Sequence, residues 1–251
     1  MKVRILTIGF NIMKSVAIRL SGITKEYHIH HEKPTLVEKF IKGPDERFIA
    51  LNAVDLTIYT NERVGLIGPN GCGKTTLLKI ITGIANPTAG ILKTHGKIIS
   101  LIDLEAGFHS DLTGEQNIFL NGMLLRMKQW EIQKKFKKII EYADLKQFID
   151  APLFTYSSGM KLRLGFSIAV HANPQILILD EGFGVGDENF RRKAKKTLRG
   201  SYGDNKTIII CTHNLELIKQ QCQRIIIMDK GSIVHDGGIN TLKVYEKYTR
   251  S

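Results

Sequence analysis

The chain has 251 residues, enough for one domain with a substantial core. Hydrophobic residues make up 43% and charged residues 24%, an ordinary globular balance that excludes a wholly disordered or fibrous chain. The net charge of +12 suits an anionic partner, nucleic acid or a membrane surface, without choosing between them.

Met1–Leu6 has a faint signal-peptide character, but Thr7, Gly9 and Asn11 break its apolar stretch and no small-residue cleavage site follows. Residues 1–14 are therefore read as an N-terminal extension, or as a stretch before translation starting at Met13, and residues 15–251 as one domain. Val16–Leu20 alternates like an opening strand. Residues 28–47 are polar, with Pro34, Gly43 and Pro44, and read as a long loop or insertion. His28, His30, His31 and Glu32 in it have no matching second cluster, so a solvated loop is expected rather than a metal site. Ala53–Tyr59 and Arg63–Ile67 are further strands, and Thr75–Thr82 is helical.

Pro87–Gly90 is a turn and Ile98–Leu104 a strand candidate. Residues 114–150 are largely helical, with Ile132, Phe136, Ile139 and Ile140 at helical spacing and lysines between. Ser158–Ala172 is a further helix. Ile176–Leu179, Thr207–Cys211 and Arg224–Met228 are buried-type strands. Strands alternating with helices predict an α/β fold with a largely parallel sheet. The helical block interrupts that alternation, so a helical subdomain of about 107–172 is expected. The longest apolar runs have strand length, far below the roughly 20 residues of a spanning helix. A soluble or peripheral chain is expected. Cys72, Cys211 and Cys222 lack CxxC spacing, which argues against disulfides or zinc and for a reducing cytosol.

Gly68-Pro69-Asn70-Gly71-Cys72-Gly73-Lys74-Thr75 matches G-x-x-x-x-G-K-[ST] between a strand and a helix. Glycines let the backbone curl so that successive N–H groups point at phosphate oxygens, and the helix adds its positive end. Lys74 is placed for the β- and γ-phosphates and the Thr75 hydroxyl for Mg²⁺, with Thr76 completing the set. Cys72 is read mostly as a small residue in this cradle, where a thiol reagent could block the site. Ile176–Leu179 then delivers Asp180 and Glu181 to a strand end. Asp180 is assigned to Mg²⁺ and Glu181 to the attacking water. A second apolar strand ends in Thr212-His213, where His213 is in reach of a γ-phosphate.

Tyr156-Ser157-Ser158-Gly159-Met160, followed by Lys161-Leu162-Arg163, resembles the signature motif of ABC ATPases, usually written LSGGQ, with substitutions at three of five positions. The resemblance covers roughly residues 15–240. It implies a P-loop NTPase (RecA-like) core with a β-rich N-terminal part and an inserted helical subdomain. It also implies ATP and Mg²⁺ as cofactors, and a homodimer in which Ser157, Ser158, Gly159 and Met160 of one subunit close on ATP held by the other. Val185-Gly186-Asp187 resembles the family's D-loop, with Asp187 facing the opposite subunit. Tyr27 sits where the family stacks an aromatic on adenine, with Phe48 as the alternative. No glutamine stands where the family carries one near Leu104–His109, and Glu105 is the nearest polar candidate, for metal contact.

These departures, with Thr113-Gly114-Glu115-Gln116-Asn117-Ile118 and Gly184–Asp187, resemble the branch whose ATPases drive export of O-antigen, capsular polysaccharide or teichoic acid. That resemblance implies an integral-membrane exporter subunit as partner, which would make most of the contact with the polysaccharide. It implies a peripheral position on the cytoplasmic face of the inner membrane, and no nucleic-acid partner. The end at Ser251 fits either the shorter, capsule-like kind or a chain ending ahead of a C-terminal carbohydrate-binding domain. The competing reading is a soluble ABC-type ATPase acting on nucleic acid or ribosomes.

Overall fold

The structure, a computed structural model, describes residues 15–29, 46–102, 106–180, 187–200 and 205–248. The N-terminal extension, most of the polar loop at 28–47 with His30, His31 and Glu32, and Glu105 lie outside the described residues. So do Glu181 and the start of the D-loop segment through Gly186.

A three-stranded antiparallel sheet, order β2-β1-β4, is built from β1 (Val16–Ile29), β2 (Glu46–Tyr59) and β4 (Ala89–Thr94). A six-stranded sheet, order β5-β6-β7-β3-β8-β9, contains β3 (Arg63–Ile67), β5 (Ile98–Ser100), β6 (Ile176–Leu179), β7 (Thr207–Cys211), β8 (Arg224–Asp229) and β9 (Ser232–Gly238). Neighbours pair parallel from β5 to β8, and β9 joins antiparallel. Helix α1 (Lys74–Ile81) follows β3. Helices α2 (Gly114–Leu124), α3 (Gln129–Ala143) and α4 (Ser158–His171) lie between β5 and β6 in sequence. Helices α5 (Glu188–Arg199), α6 (Leu215–Gln221) and α7 (Thr241–Tyr248) complete the set. This is the expected α/β core with a β-rich N-terminal part and a helical insertion.

The continuous apolar runs are explained by burial on both faces of the sheet. Ile176 and Ile178 of β6 point into a core shared with α1 and the small sheet, with Leu77, Leu78, Ile18, Leu51 and Val54. Leu177 and Leu179 point the other way, into a core with Phe166, Ile168, Phe190 and Ile218 from the helices. Arg224 ties the layers together. It donates to Glu62 and to the Thr57 carbonyl, each at 2.9 Å, and forks onto both Asp236 oxygens at 2.7 and 2.6 Å.

Three boundaries differ from expectation, each for a local reason. The strand expected over 98–104 stops at Ser100, whose hydroxyl accepts from the Ile102 N–H at 3.2 Å. Strand β2 starts well before Ala53. That residue sits at φ 45°, where the Thr24 hydroxyl accepts its N–H, and this break hides the earlier half of the strand from a period-two reading. The turn expected at 87–90 runs directly into β4, whose side chains are mostly exposed and so carry little apolar signal.

Among the described residues no helix is long and apolar enough to cross a membrane.

Candidate functional site

The strand order sets the site. Strands β3, β7 and β6 are adjacent and parallel, so the segments leaving their C-terminal ends meet at one edge. The glycine-rich loop leaves β3, Asp180 follows β6, and Thr212-His213 follows β7. The loop and Asp180 border a cleft of about 320 Å³ lined by Asn70, Gly71, Gly73, Lys74, Thr75, Thr76, Asp180 and Cys211, with Phe48 and Ala50 at its side.

The loop's shape is fixed by its surroundings. Gly73 has φ 104°, and a Cβ there would lie 2.6 Å from the Ala50 carbonyl oxygen and 2.9 Å from Leu51 Cδ2, so only glycine fits. The Gly231 N–H donates to the Cys72 carbonyl at 3.0 Å, and the Asn52 N–H donates to the Gly231 carbonyl at 2.9 Å. Strand β2 and the turn between β8 and β9 therefore brace the loop from behind. No sequence signal marked Ala50 or Gly231 for this part.

Helix α1 starts at Lys74 with no side-chain cap on its first turn. By contrast Thr113, Ser157, Asp187 and Asn214 each cap a helix through a side-chain oxygen. An uncapped helix start leaves backbone donors and a partial positive charge for an anion. Lys74 is buried beside it, and its ammonium donates to the carbonyls of Gly68 at 2.8 Å and Pro69 at 2.9 Å. These groups fit a polyphosphate. Thr75 and Asp180 on the same cleft offer an oxygen pair suited to a hard divalent cation.

His213 reaches the loop directly, with Nε2 donating to Asn70 Oδ1 at 3.0 Å. Cys72 is placed as the small residue expected under the loop. Its side chain is only 4% exposed, and burial raises its thiol pKa, although neighbouring Lys74 pulls the other way. A scarce, covered thiolate is a poor target, so Cys72 serves chiefly as a small side chain under the loop.

Tyr27 and Phe48 are directly opposed partners on β1 and β2, and both are exposed. Directly opposed residues share a face of the sheet. Phe48 is the ring that lines the cleft, while Lys25 Nζ lies 5.1 Å over the Tyr27 ring. The alternative aromatic, Phe48, is thus the one at the cleft wall, with Tyr27 beside it on the same face.

Residues 157–160 are not part of this cleft. Ser157 and Ser158 are exposed at the start of α4, and Ser157 Oγ accepts from the Met160 N–H at 3.2 Å. Tyr156 before them is buried, and its hydroxyl donates to the Phe148 carbonyl at 2.5 Å. Gly114 packs beneath that ring, where a Cβ would come within 2.2 Å of the hydroxyl. Asn117 is fully buried. Its Nδ2 lies 2.9–3.0 Å from the carbonyls of His109, Leu112 and Thr113, which share its two N–H donors, and its Oδ1 accepts from the His109 N–H. The 113–118 segment thus organises the loop ahead of α2. Asp187 caps α5 through the Phe190 N–H at 2.8 Å and pairs with Arg163 of α4 at 3.8 Å, so within its own chain it links the two helix starts.

The family model described as ABC transporter matches residues 51–184. The O-antigen export system ATP-binding protein RfbB of Klebsiella pneumoniae is 38% identical over 217 residues, covering 83% of this chain and 88% of that protein. The teichoic acids export ATP-binding protein TagH of Enterococcus faecalis is 40% identical over 224 residues. That match covers 88% of this chain and 50% of the relative. A bacterial ABC transporter cassette, solved as a dimer, superposes with a TM-score of 0.71 at 24% identity, covering 88% of this chain and 98% of that one.

Proposed function

Because the chain belongs to the ABC transporter family, we propose that it is the ATP-hydrolysing subunit of an exporter for a cell-surface polysaccharide of the O-antigen or capsule type. The observation that carries the ATPase reading is the uncapped start of α1 facing Asp180 and the His213–Asn70 pair across one cleft. The relatives named for O-antigen and teichoic acid export support the polymer class. Both are exporters, which leaves nothing in favour of a soluble ATPase working on nucleic acid or ribosomes.

ATP would lie with its base on Phe48 and Tyr27 and its phosphates in the N–H groups of residues 70–76. Lys74 would exchange its two carbonyl partners for β- and γ-phosphate oxygens. When bound, Mg²⁺ neutralises charge on those phosphates; Thr75 and Asp180 are the residues that would hold it, with Glu105 proposed as a further ligand. Glu181, one residue beyond Asp180, is proposed as the base that takes a proton from the attacking water. His213 would turn from Asn70 to the γ-phosphate.

Residues 157–160 lie away from the described cleft, and a second copy would bring this surface to it. We propose a homodimer in which Ser157, Ser158, Gly159 and Met160 of one subunit cover the ATP of its partner, with Asp187 near the same seam. The shallow groove of Phe119, Leu120 and Met123 on α2, edged by Glu115, Gln116 and Asp150, suits docking of an integral-membrane exporter subunit. That partner would hold the chain on the cytoplasmic face of the inner membrane and make most of the contact with the polysaccharide.

Two experiments test this reading. In cells lacking the chain, surface polysaccharide is expected to disappear and to return with the wild-type chain but not with Lys74→Ala; an unchanged surface would contradict it. Phe48→Ala is expected to weaken ATP binding by about 5- to 150-fold, the value of about 1–3 kcal/mol for one base–aromatic stack. Tyr27→Ala should have the smaller effect in the same titration, and the reverse order would return the base to Tyr27.

A further inference from the structure

Helix α3 has two unlike faces. Ile132, Ile139, Ile140 and Ala143 are buried, and Phe136 packs on Phe119 of α2 with ring centroids 5.6 Å apart. Lys135 is also drawn inward, donating to the His171 carbonyl at 2.7 Å. The opposite face exposes Trp130, Lys134, Lys137 and Lys138. The spacing 130, 134, 137 and 138 places all four on one stripe. Arg126 and Lys128, in the turn just ahead, are exposed as well. From residue 123 to 140 the one acid is Glu131, which is half-buried and whose carboxylate accepts the Lys128 N–H at 2.8 Å. Three exposed lysines therefore share a stripe with Trp130, with Arg126 and Lys128 just ahead in the chain, and the one exposed carboxylate on that stripe is Glu141, a turn beyond Lys137 and Lys138.

This face is apolar as well as basic. Trp130 is 61% exposed on this face, and Leu124, 60% exposed, ends α2 just ahead of it, lining a groove with Arg126, Thr94 and Lys97. A solvated charged surface has no use for a large exposed indole. A lipid headgroup layer does, because indoles settle at the boundary between headgroups and acyl chains while lysines reach the phosphates. Met123, next to Leu124 in the chain, lines the groove assigned above to the membrane partner. We propose that the Trp130–Lys138 face of α3, with Leu124, Arg126 and Lys128, rests on anionic lipid headgroups beside that partner. The proposal depends on the reading that the chain works at a membrane, and it concerns a surface distinct from the nucleotide cleft.

The sequence contains a single tryptophan, so Trp130 is a built-in reporter of this contact. The intact chain, without nucleotide, is mixed with vesicles of phosphatidylcholine alone or with added phosphatidylglycerol. Its emission is expected to shift to the blue, and to be quenched by brominated acyl chains, with the anionic vesicles only, and the effect should fade as salt rises. The triple change Lys134→Gln, Lys137→Gln and Lys138→Gln should lower partition by about a hundredfold, at roughly fivefold per cation near an anionic surface. The corresponding triple arginine variant should retain it. ATP hydrolysis should be unchanged in both, which also shows that they are folded. A wild-type chain that hydrolyses ATP yet leaves Trp130 emission unchanged on anionic vesicles would overturn this inference and leave the ATPase reading intact. So would glutamine variants that bind as well as wild type, or binding to RNA or heparin without binding to vesicles. Surface polysaccharide left unchanged in cells lacking the chain, with the vesicle signal preserved, would count against the transporter reading instead.

Discussion

Lys74→Ala is expected to lower ATP affinity by about 10- to 100-fold and to remove measurable hydrolysis. The affinity term follows from losing charged hydrogen bonds worth about 1.5–3 kcal/mol. The loss in rate is greater because phosphoryl transfer depends almost wholly on positioning and on charge placed against the phosphates. The side chain is buried, and its removal also leaves the Gly68 and Pro69 carbonyls without its ammonium. Thermal unfolding without nucleotide separates the two effects. The expected variant melts near the wild-type temperature yet gains little stability from ATP, whereas the wild type gains in proportion to saturation. Ligand-induced stabilisation equal to wild type would show that the cradle is not where ATP binds.

Glu181→Gln should behave differently. Loss of a general base typically costs about 10²–10⁴ in rate while binding is retained. Hydrolysis measured under single-turnover conditions is expected to fall in that range, with ATP affinity near that of wild type. Near-normal hydrolysis would remove Glu181 from its assigned role and leave Asp180 and His213 to be reconsidered. The contrast between the two variants is informative because they follow different strands in the sequence. Lys74 follows β3 and is proposed to govern binding; Glu181, next after Asp180 in the sequence, is proposed to govern the chemical step.

What could be read from the sequence tracks the strength of the physical signal. Strands β3, β6 and β7 were legible to the residue because both faces are buried and their side chains are almost uniformly apolar. The phosphate loop was legible because its backbone demands glycine, as Gly73 against Ala50 illustrates. Strands β4 and β9 were not, since Ala89–Thr94 is an exposed edge and Ser232–Gly238 carries polar residues and two glycines. The aromatic that lines the cleft depended on strand register. The Tyr27–Phe48 pairing spans the polar insertion, so neither position could be derived from spacing. Asn117 shows a further limit. Its position stood out as part of a residue pattern, but its fourfold hydrogen bonding around residues 109–113 is a tertiary fact. The Arg163–Asp187 pair is likewise visible only once α4 and α5 are packed.

The central claim is that two copies enclose ATP between the phosphate loop of one and residues 157–160 of the other. Sedimentation of the Glu181→Gln chain with and without ATP tests it most directly. The account predicts a monomer without nucleotide and a doubled mass with ATP. Adding Gly159→Asp, which puts a side chain and a negative charge into the exposed start of α4, should return it to a monomer with ATP still bound. A Glu181→Gln chain that binds ATP and stays monomeric, or a dimer indifferent to Gly159→Asp, would contradict the shared site.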